Sequence, residues 1–398
     1  MSDFRHKRKR SGTSMMLFRE KEIISVDSET GGTEEFVIID IISLTEEKFV
    51  MVVEAKRSNL GSAMKQLLLA MKDTWDINGQ GTVYGFTTTG DSWQMVIYDG
   101  STFEVTEDFK VMFPPMEALI EGRLGVRDYI RYRSVQRQSH PPTWNTMGDD
   151  NNLKKRKSKW TTSYPNMTIA QAEERLGFRI RSLKGIPVQR MLANANEGES
   201  PDAILTTKEK VYDHILEYLQ IEGYPTEGDP DFKESNINHL VYATISPILR
   251  DFICKTGRVT VQLRSEKEIV STDGETGGTE EFAVLDLISV KQERFILIVE
   301  ARRSSLGQAM KQCLLAMKAM RDSNGEGKVY GFVTTGEQWQ MLEYDGTSFR
   351  KTNIMIVVFD SMDDEKEKWL KENSILVDCI KFALSNGGLK ADSGSGIM

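Results

Sequence analysis

The first third of the chain alternates between apolar runs and one periodic stretch. Residues 35–44 (EFVIIDIISL) and 48–55 (KFVMVVEA) are nearly continuous apolar runs rich in β-branched residues, which is typical of strands buried on both faces. Apolar side chains then recur with the helical period over residues 58–75. Residues 82–88 and 93–98 predict two more strands. The pattern therefore predicts strand, strand, helix, strand, strand.

This pattern occurs twice. The segment Glu20–Phe103 recurs at Glu266–Phe349 with a constant offset of 246, and 53 of the 84 positions are identical. A repeat this long indicates a duplicated domain rather than a solenoid. We call the two segments the first and second repeat. We expect an α/β protein in which each repeat forms a mixed central β-sheet flanked by helices.

The two repeats have different surroundings. Residues 206–220 and 236–254 show helical periodicity and come just before the second repeat, whereas only a short leader precedes the first repeat. The first repeat is therefore either truncated or supplied with a helix from elsewhere. The expected organisation is a basic leader (1–19), a first domain (20–113), a basic and partly disordered linker (114–205), a second domain (206–390) and a flexible tail (391–398).

Composition excludes several classes of protein. The chain has 398 residues, 39% hydrophobic and 28% charged, which is ordinary for globular domains. No apolar run approaches the roughly 18 residues that span a bilayer, and no secretory signal is recognisable. The three cysteines are far apart, which argues against a disulfide scaffold and suits a reducing compartment.

Charge is divided unevenly along the chain. Residues 20–104 hold 15 acidic and 6 basic side chains (net −9), and residues 121–190 hold 6 acidic and 15 basic ones (net +9). The basic runs His6–Arg10 and Lys154–Lys159 suit contact with nucleic acid or nuclear import, although such runs are also found as solvated surface. We expect a nuclear protein, with the cytoplasm as the alternative.

Two carboxylates interrupt the most apolar strands. Asp40 lies in VIIDII and Glu54 in VVEAK, and Lys56 follows Glu54 on the same face of the strand. Burying unpaired carboxylates costs several kcal/mol. A divalent cation such as Mg²⁺ or Mn²⁺ would explain their presence. The alternative is that Asp40 faces solvent and that Glu54 and Lys56 form an ordinary ion pair.

These residues resemble a known signature. Asp40, thirteen residues, then Glu54-Ala55-Lys56 is similar to the motif of the PD-(D/E)XK nucleases, which have the restriction-endonuclease-like fold. The resemblance implies that Asp40 and Glu54 bind the metal and that Lys56 assists the attacking water. Gln66 resembles the glutamine of RecB-like members, but their tyrosine four residues later is replaced by Ala70, and no proline precedes Asp40.

The second repeat keeps most of this signature. Asp286 and Glu300 take the metal positions and Gln312 takes the glutamine position, but Arg302 replaces the lysine. Arginine keeps the positive charge and does not deprotonate at usable pH. The resemblance therefore implies a degenerate second site.

The sequence supports two hypotheses for function. The first is Mg²⁺- or Mn²⁺-dependent hydrolysis of phosphodiester bonds in nucleic acid, with the first repeat as the active site. The second is a nuclear or effector-like module of nuclease fold that is inactive and binds nucleic acid or a protein partner. The acidic first repeat favours the second hypothesis, because phosphate binding requires cations, and the basic segments could compensate. Both an intramolecular pseudo-dimer and a homodimer are compatible with the repeat, and so are DNA and RNA as substrates.

Overall fold

The protein is an α/β chain with two compact units. The computed structural model describes residues 14–28, 31–42, 47–56, 60–111, 160–193, 200–225, 232–289, 292–303, 306–359 and 361–388. Unit 1 comprises residues 1–156 and unit 2 residues 157–398. Each is built on one mixed β-sheet with helical packing.

Unit 1 contains the first repeat. Its described elements are β1 (Ser14–Ile24), β2 (Gly31–Ile41), β3 (Glu47–Ala55), α1 (Leu60–Ile77), β4 (Val83–Thr88), β5 (Ser92–Tyr98), β6 (Phe103–Val105) and β7 (Phe109–Lys110).

The strands of unit 1 pair in the order β1-β2-β3-β4-β5-β6, and β7 pairs with β5. Only β3 and β4 are parallel, as expected for two strands joined by a helical crossover. Helix α1 makes this crossover and buries Leu67 and Met71 against one face of the sheet. The approach is close, because a Cβ on Gly85 of β4 would lie 2.5 Å from Met71 Sδ.

Unit 2 contains the second repeat and several further elements. Before the repeat come β8 (Thr162–Ser163), α2 (Ile169–Leu176), a 3₁₀ turn (Ile180–Ser182), β9 (Gly185–Ile186), α3 (Val188–Met191), α4 (Pro201–Glu222) and α5 (Glu234–Thr256). The repeat supplies β10 (Val261–Val270), β11 (Thr276–Ser289), β12 (Gln292–Ala301), α6 (Leu306–Asn324), β13 (Val329–Thr334), β14 (Gln338–Tyr344) and β15 (Phe349–Thr352). After it come β16 (Met355–Ile356), α7 (Lys366–Lys368), a π-helical turn (Trp369–Asn373) and α8 (Ile375–Asn386).

The sheet of unit 2 extends the same strand order, β10-β11-β12-β13-β14-β15, and adds β9 beside β15. Strand β8 pairs with β11, and β16 pairs with β14. Both faces of this sheet are covered. Helix α6 and the segment around Tyr164 and Met167 pack on one face, and α4, α5 and α8 pack on the other.

Most predicted elements are confirmed. The two apolar runs form β2 and β3, the periodic stretch forms α1, and the two helices expected before the second repeat are α4 and α5. Two segments are placed differently from the expected boundaries of the leader and linker. Strand β1 begins inside the expected leader, at Ser14, and residues 160–193 of the expected linker belong to unit 2 and extend its sheet. The expected tail, 391–398, lies outside the described residues.

Candidate functional site

The two carboxylates singled out in each repeat are not neighbours. Asp40 pairs with Lys48 across the β2–β3 ladder, and Glu54 lies six residues further along β3. At about 3.3 Å per residue this separation is about 20 Å. Likewise, Asp286 pairs with Arg294, and Glu300 lies six residues beyond it. The structure therefore does not bring together the members of the expected metal pairs Asp40–Glu54 and Asp286–Glu300, because the register of the hairpin separates them.

A different acidic residue meets Glu54. The ladder runs from Ile41 opposite Glu47 to Phe36 opposite Val53, so the end of β3 lies beside the start of β2, where Glu34 and Glu35 stand. The carboxyl group of Glu34 makes a hydrogen bond with that of Glu54.

The Glu34–Glu54 pair is buried. Glu54 has no exposed surface and Glu34 is 3% exposed. Oε2 of each residue accepts no hydrogen bond from any donor of the described residues. Burial, and then the neighbouring Glu54 carboxylate, raise the pKa of Glu34. Two carboxyl groups in contact cannot both ionise cheaply, so they share a proton or require a cation between them.

Lys56 is the cation at this pair. Its Nζ lies 2.6 Å from Glu54 Oε1 and 3.7 Å from Glu35 Oε1. The hydrogen bond to Glu54 raises the pKa of Lys56. About a third of the Lys56 side chain and more of Glu35 are exposed. The buried carboxyl pair therefore has an open side, and Lys56 and Glu35 line it.

Unit 2 has the same carboxyl pair in a closed form. Glu280 and Glu300 are both fully buried and hydrogen-bonded to each other. Apart from the carboxyl group of Glu300, no donor among the described residues reaches either oxygen of Glu280. Burial raises the pKa of both residues, and Glu280 adds to the rise at Glu300.

Arg302 closes the site in unit 2. Its guanidinium lies 2.5 Å from Glu300 Oε1 and 3.1 Å from Glu281 Oε1, and it also pairs with Glu234 of helix α5. The three carboxylates and the single guanidinium form a network of charge-assisted hydrogen bonds. Asn238, also on α5, donates to Glu281 Oε2 at 2.8 Å. Helix α5 thus covers the mouth that is open in unit 1.

The two glutamines of the signature differ in the same way. Gln312 of α6 is buried, and its Oε1 accepts a hydrogen bond from Arg302 Nη2 at 2.9 Å. Gln66 of α1 is only half-buried. The structure therefore brings Glu300, Arg302 and Gln312 together.

Few protein ligands are available for a divalent cation at these sites. No group of three or more His, Cys, Asp or Glu side chains within the described ranges has the arrangement of a metal site. The buried, donor-free oxygens of Glu34 and Glu54 fit a hard cation that takes two protein carboxylates and completes its shell with water, which Mg²⁺ accepts. In unit 2 the guanidinium of Arg302 already occupies the charged side of the pair.

Glu34, Glu35, Glu280 and Glu281 were missed as site residues by sequence reasoning. They stand in the repeated string GGTEEF, which shows that the acidic pair is retained in both repeats. Counting strand positions back from the pair Ile41 and Glu47 would have placed this string opposite Glu54. The signal was therefore in the sequence, but it required the hairpin register.

The chain matches no known protein-family model and no curated protein sequence. Within the part of the chain that the structure describes, no helix is long and apolar enough to cross a membrane.

Proposed function

We propose that unit 1 is a divalent-metal-dependent nuclease of the PD-(D/E)XK type, with Glu34 in the role first expected of Asp40. One observation carries the proposal: Glu34 and Glu54 form a buried carboxyl pair that lies beside the partly exposed ammonium of Lys56. The strand–strand–helix–strand order around this pair is the order that the resemblance implies.

The residues have distinct roles in this proposal. Glu34 and Glu54 hold Mg²⁺ or Mn²⁺ in place of their shared proton. A bound ion would supply positive charge for the phosphate and a more acidic water. The ammonium of Lys56, held at 2.6 Å by Glu54, orients the attacking water and offsets the negative charge that develops on the phosphoryl group. Glu35, at the exposed rim, holds Lys56 from its other side.

Two matched pairs of variants test this proposal. Glu54→Gln and Lys56→Ala should abolish Mn²⁺- or Mg²⁺-dependent nicking of supercoiled plasmid, whereas Glu300→Gln and Arg302→Ala should leave it unchanged. Loss of general acid–base assistance lowers rates by about 10²–10⁴-fold, so the two groups should separate clearly. Circular dichroism of each variant controls for folding. Wild-type rates in Glu54→Gln would reject the assignment.

A second candidate function is supported by unit 2. Arg302 is engaged with the carboxyl groups of Glu234, Glu281 and Glu300, and its guanidinium, unlike the ammonium of Lys56, does not deprotonate at usable pH. Elsewhere in unit 2, Arg179, Arg181, Lys184 and Arg190 are all exposed. Because its cation cannot exchange a proton, we infer a non-catalytic role for unit 2 in holding nucleic acid through its phosphates.

This second function has its own measurement. Neutralising the four exposed cations should lower the slope of log K against log salt for DNA or RNA binding, because fewer counterions are released. The runs His6–Arg10 and Lys154–Lys159 lie outside the described residues, and their contributions to nucleic-acid binding and nuclear import stay predictions. Failure of every variant and metal to cleave would leave binding as the function of both units.

A further inference from the structure

One face of the sheet in unit 1 is apolar and exposed. Met15, Tyr84, Phe109 and Val111 lie on this face, and their exposed fractions are between 40% and 56%. Their counterparts in unit 2, at the offset of 246, are exposed by 5% or less. These counterparts are Val261, Tyr330, Met355 and Val357. We call the exposed surface the open face.

Helices cover the corresponding face in unit 2. Phe382 of α8 packs edge-on against Tyr330, with ring centroids 5.8 Å apart. The indole of Trp369 donates to Val357 O at 2.7 Å. Leu240 and Ile245 of α5 belong to the same buried cluster. In unit 1, the described residues include no helix on this side of the sheet, because α1 packs on the other one.

The open face keeps the side chains that receive these helices. Six of its positions are identical in the two units. They are Phe36, Val53, Tyr84, Phe86, Trp93 and Met95, which match Phe282, Val299, Tyr330, Phe332, Trp339 and Met341. The edge-to-face packing of Phe86 on Trp93 is also that of Phe332 on Trp339, at 6.1 and 6.4 Å. A surface with this shape fits helices like those of unit 2.

The charge of Asp40 indicates that a helix bound to the open face carries a cation at its end. In unit 2, Asp286 is bound by Arg258, which follows helix α5, with Nη2 to Oδ2 at 2.6 Å. Asp40 is the counterpart of Asp286: Met15 pairs with Asp40 as Val261 pairs with Asp286. No cation of the described residues forms an ion pair with Asp40. The first repeat is also strongly acidic overall, so its complement is basic.

We propose that the open face binds a helical hairpin of a partner protein, with an aliphatic stripe against Tyr84 and Phe86 and a cation at the helix end against Asp40. The chain's own residues 112–159 are a poorer occupant. At the offset of 246, four buried positions of α8 (Leu376, Val377, Cys379, Ile380) become Ile130, Arg131, Arg133 and Ser134, so three of the four apolar contacts would be lost.

The probe is a fluorescent peptide of residues 200–260, which contains α4, α5 and Arg258, with its helicity verified by circular dichroism. It should bind the full-length protein. Tyr84→Ser or Asp40→Lys in the protein should weaken binding at least about tenfold. The peptide variant Arg258→Glu should also lose binding to wild type, and Asp40→Lys should restore it, because the charge pair is then reversed. Leu69→Ser, an exposed apolar position on α1, is the matched control and should change nothing.

Three results would overturn the proposal. Failure of the helical peptide to bind, or binding that ignores Tyr84→Ser and Asp40→Lys, would remove the docking surface. Binding that appears only after residues 112–159 are replaced by a Gly/Ser linker would assign the face to the chain's own segment. A dimer of the full chain that becomes monomeric on Tyr84→Ser, measured by sedimentation, would assign it to a second copy.

Discussion

Arg258 and Asp286 join a helix end to the central sheet of unit 2. Arg258 Nη2 donates to Asp286 Oδ2 at 2.6 Å, and Nη1 donates to Leu384 O at 3.3 Å. Burial opposes ionisation of Asp286, but hydrogen bonds from Thr260 and Arg258 lower its pKa. An aspartate that stands in a metal-ligand position of the sequence signature thus serves to anchor helices.

The anchoring role predicts different effects of the same substitution in the two repeats. Asp286→Asn should destabilise unit 2 by about 1–3 kcal/mol, because it weakens a charge-assisted hydrogen bond and leaves Arg258 without its anion. Asp40→Asn should change the stability of unit 1 by less than about 0.5 kcal/mol, as surface substitutions usually do. Urea unfolding followed by hydrogen exchange in peptides from each unit measures both values. Equal losses in the two units would contradict the assignment.

The carboxyl pairs predict how stability depends on pH. The pKa of Glu34 is raised to about 8 from its ordinary value of 4.5 by burial and by Glu54. The folded protein therefore retains protons that the unfolded chain has released, and its stability falls as pH rises across this interval. Burial raises the pKa of Glu280 and Glu300 in the same direction. The melting temperature should decrease from pH 5 to pH 8.

One variant and one added metal ion show which carboxyl pair causes this pH dependence. Glu34→Gln should reduce the decrease in melting temperature between pH 5 and pH 8 for unit 1 and should not change it for unit 2. Lys56 does not interfere, because its raised pKa contributes stability that is lost only above its ordinary value of 10.5. Added Mn²⁺ should stabilise unit 1 more at pH 8 than at pH 5, since the ion competes with the shared proton. A melting temperature that rises with pH would refute the shared proton.

Arg302 and Lys56 should differ in their importance for stability. Arg302→Ala leaves the buried Glu300 and the half-buried Glu281 without a cation, and breaking a buried pair in this way costs about 3–5 kcal/mol. Lys56→Ala should cost less than about 1 kcal/mol, because Lys56 is about a third exposed and solvent screens its pair with Glu54. Arg302→Lys should fall between them, since an ammonium cannot reproduce the planar fork. Denaturant midpoints for each unit give the comparison.

Lys311 should hold the segment before α2 on the sheet of unit 2. Its Nζ donates to Pro165 O at 2.9 Å and to Met167 O at 2.6 Å from a largely buried position. Lys311→Met keeps the aliphatic stem but leaves two carbonyls without this donor, so we expect a loss of about 1–3 kcal/mol and faster proteolysis near residue 165. Its counterpart Lys65 is exposed, and Lys65→Met should be neutral.

The sequence predicted elements better than it predicted their register. Strands β2 and β3 and helix α1 follow directly from apolar runs and helical periodicity. The partner of Glu54 depends on which residues form the last pair of the hairpin, Ile41 and Glu47, and on the register shift between Ile38 and Ile39. An alternating pattern shows which face of a strand a residue occupies but not which residue lies opposite it on the next strand. Sequence reasoning therefore selected Asp40 and not Glu34.

Sequence reasoning missed strands β8 and β9 and helix α2 of unit 2 for another reason. Strands β8 and β9 are two residues long each, which is too short for any periodicity, and helix α2 lies in a basic stretch that reads as a linker. Strands β8 and β9 join the sheet through backbone pairing with β11 and β15, and their composition does not predict this pairing. Helices α4 and α5 were predicted because each is long enough to show a stripe.

Strand β9 covers a sheet edge in unit 2 that is exposed in unit 1, and this difference should affect solubility. It pairs with β15 and thereby closes one edge of the sheet in unit 2. The matching strand in unit 1, β6, is the last of its sheet among the described residues, and Phe103, Glu104 and Val105 are all exposed. Open edges are where chains add to one another and begin to aggregate. A fragment that ends at Val111 should therefore be the aggregation-prone half of this protein, whereas a fragment that begins at Trp160 carries its own edge protection.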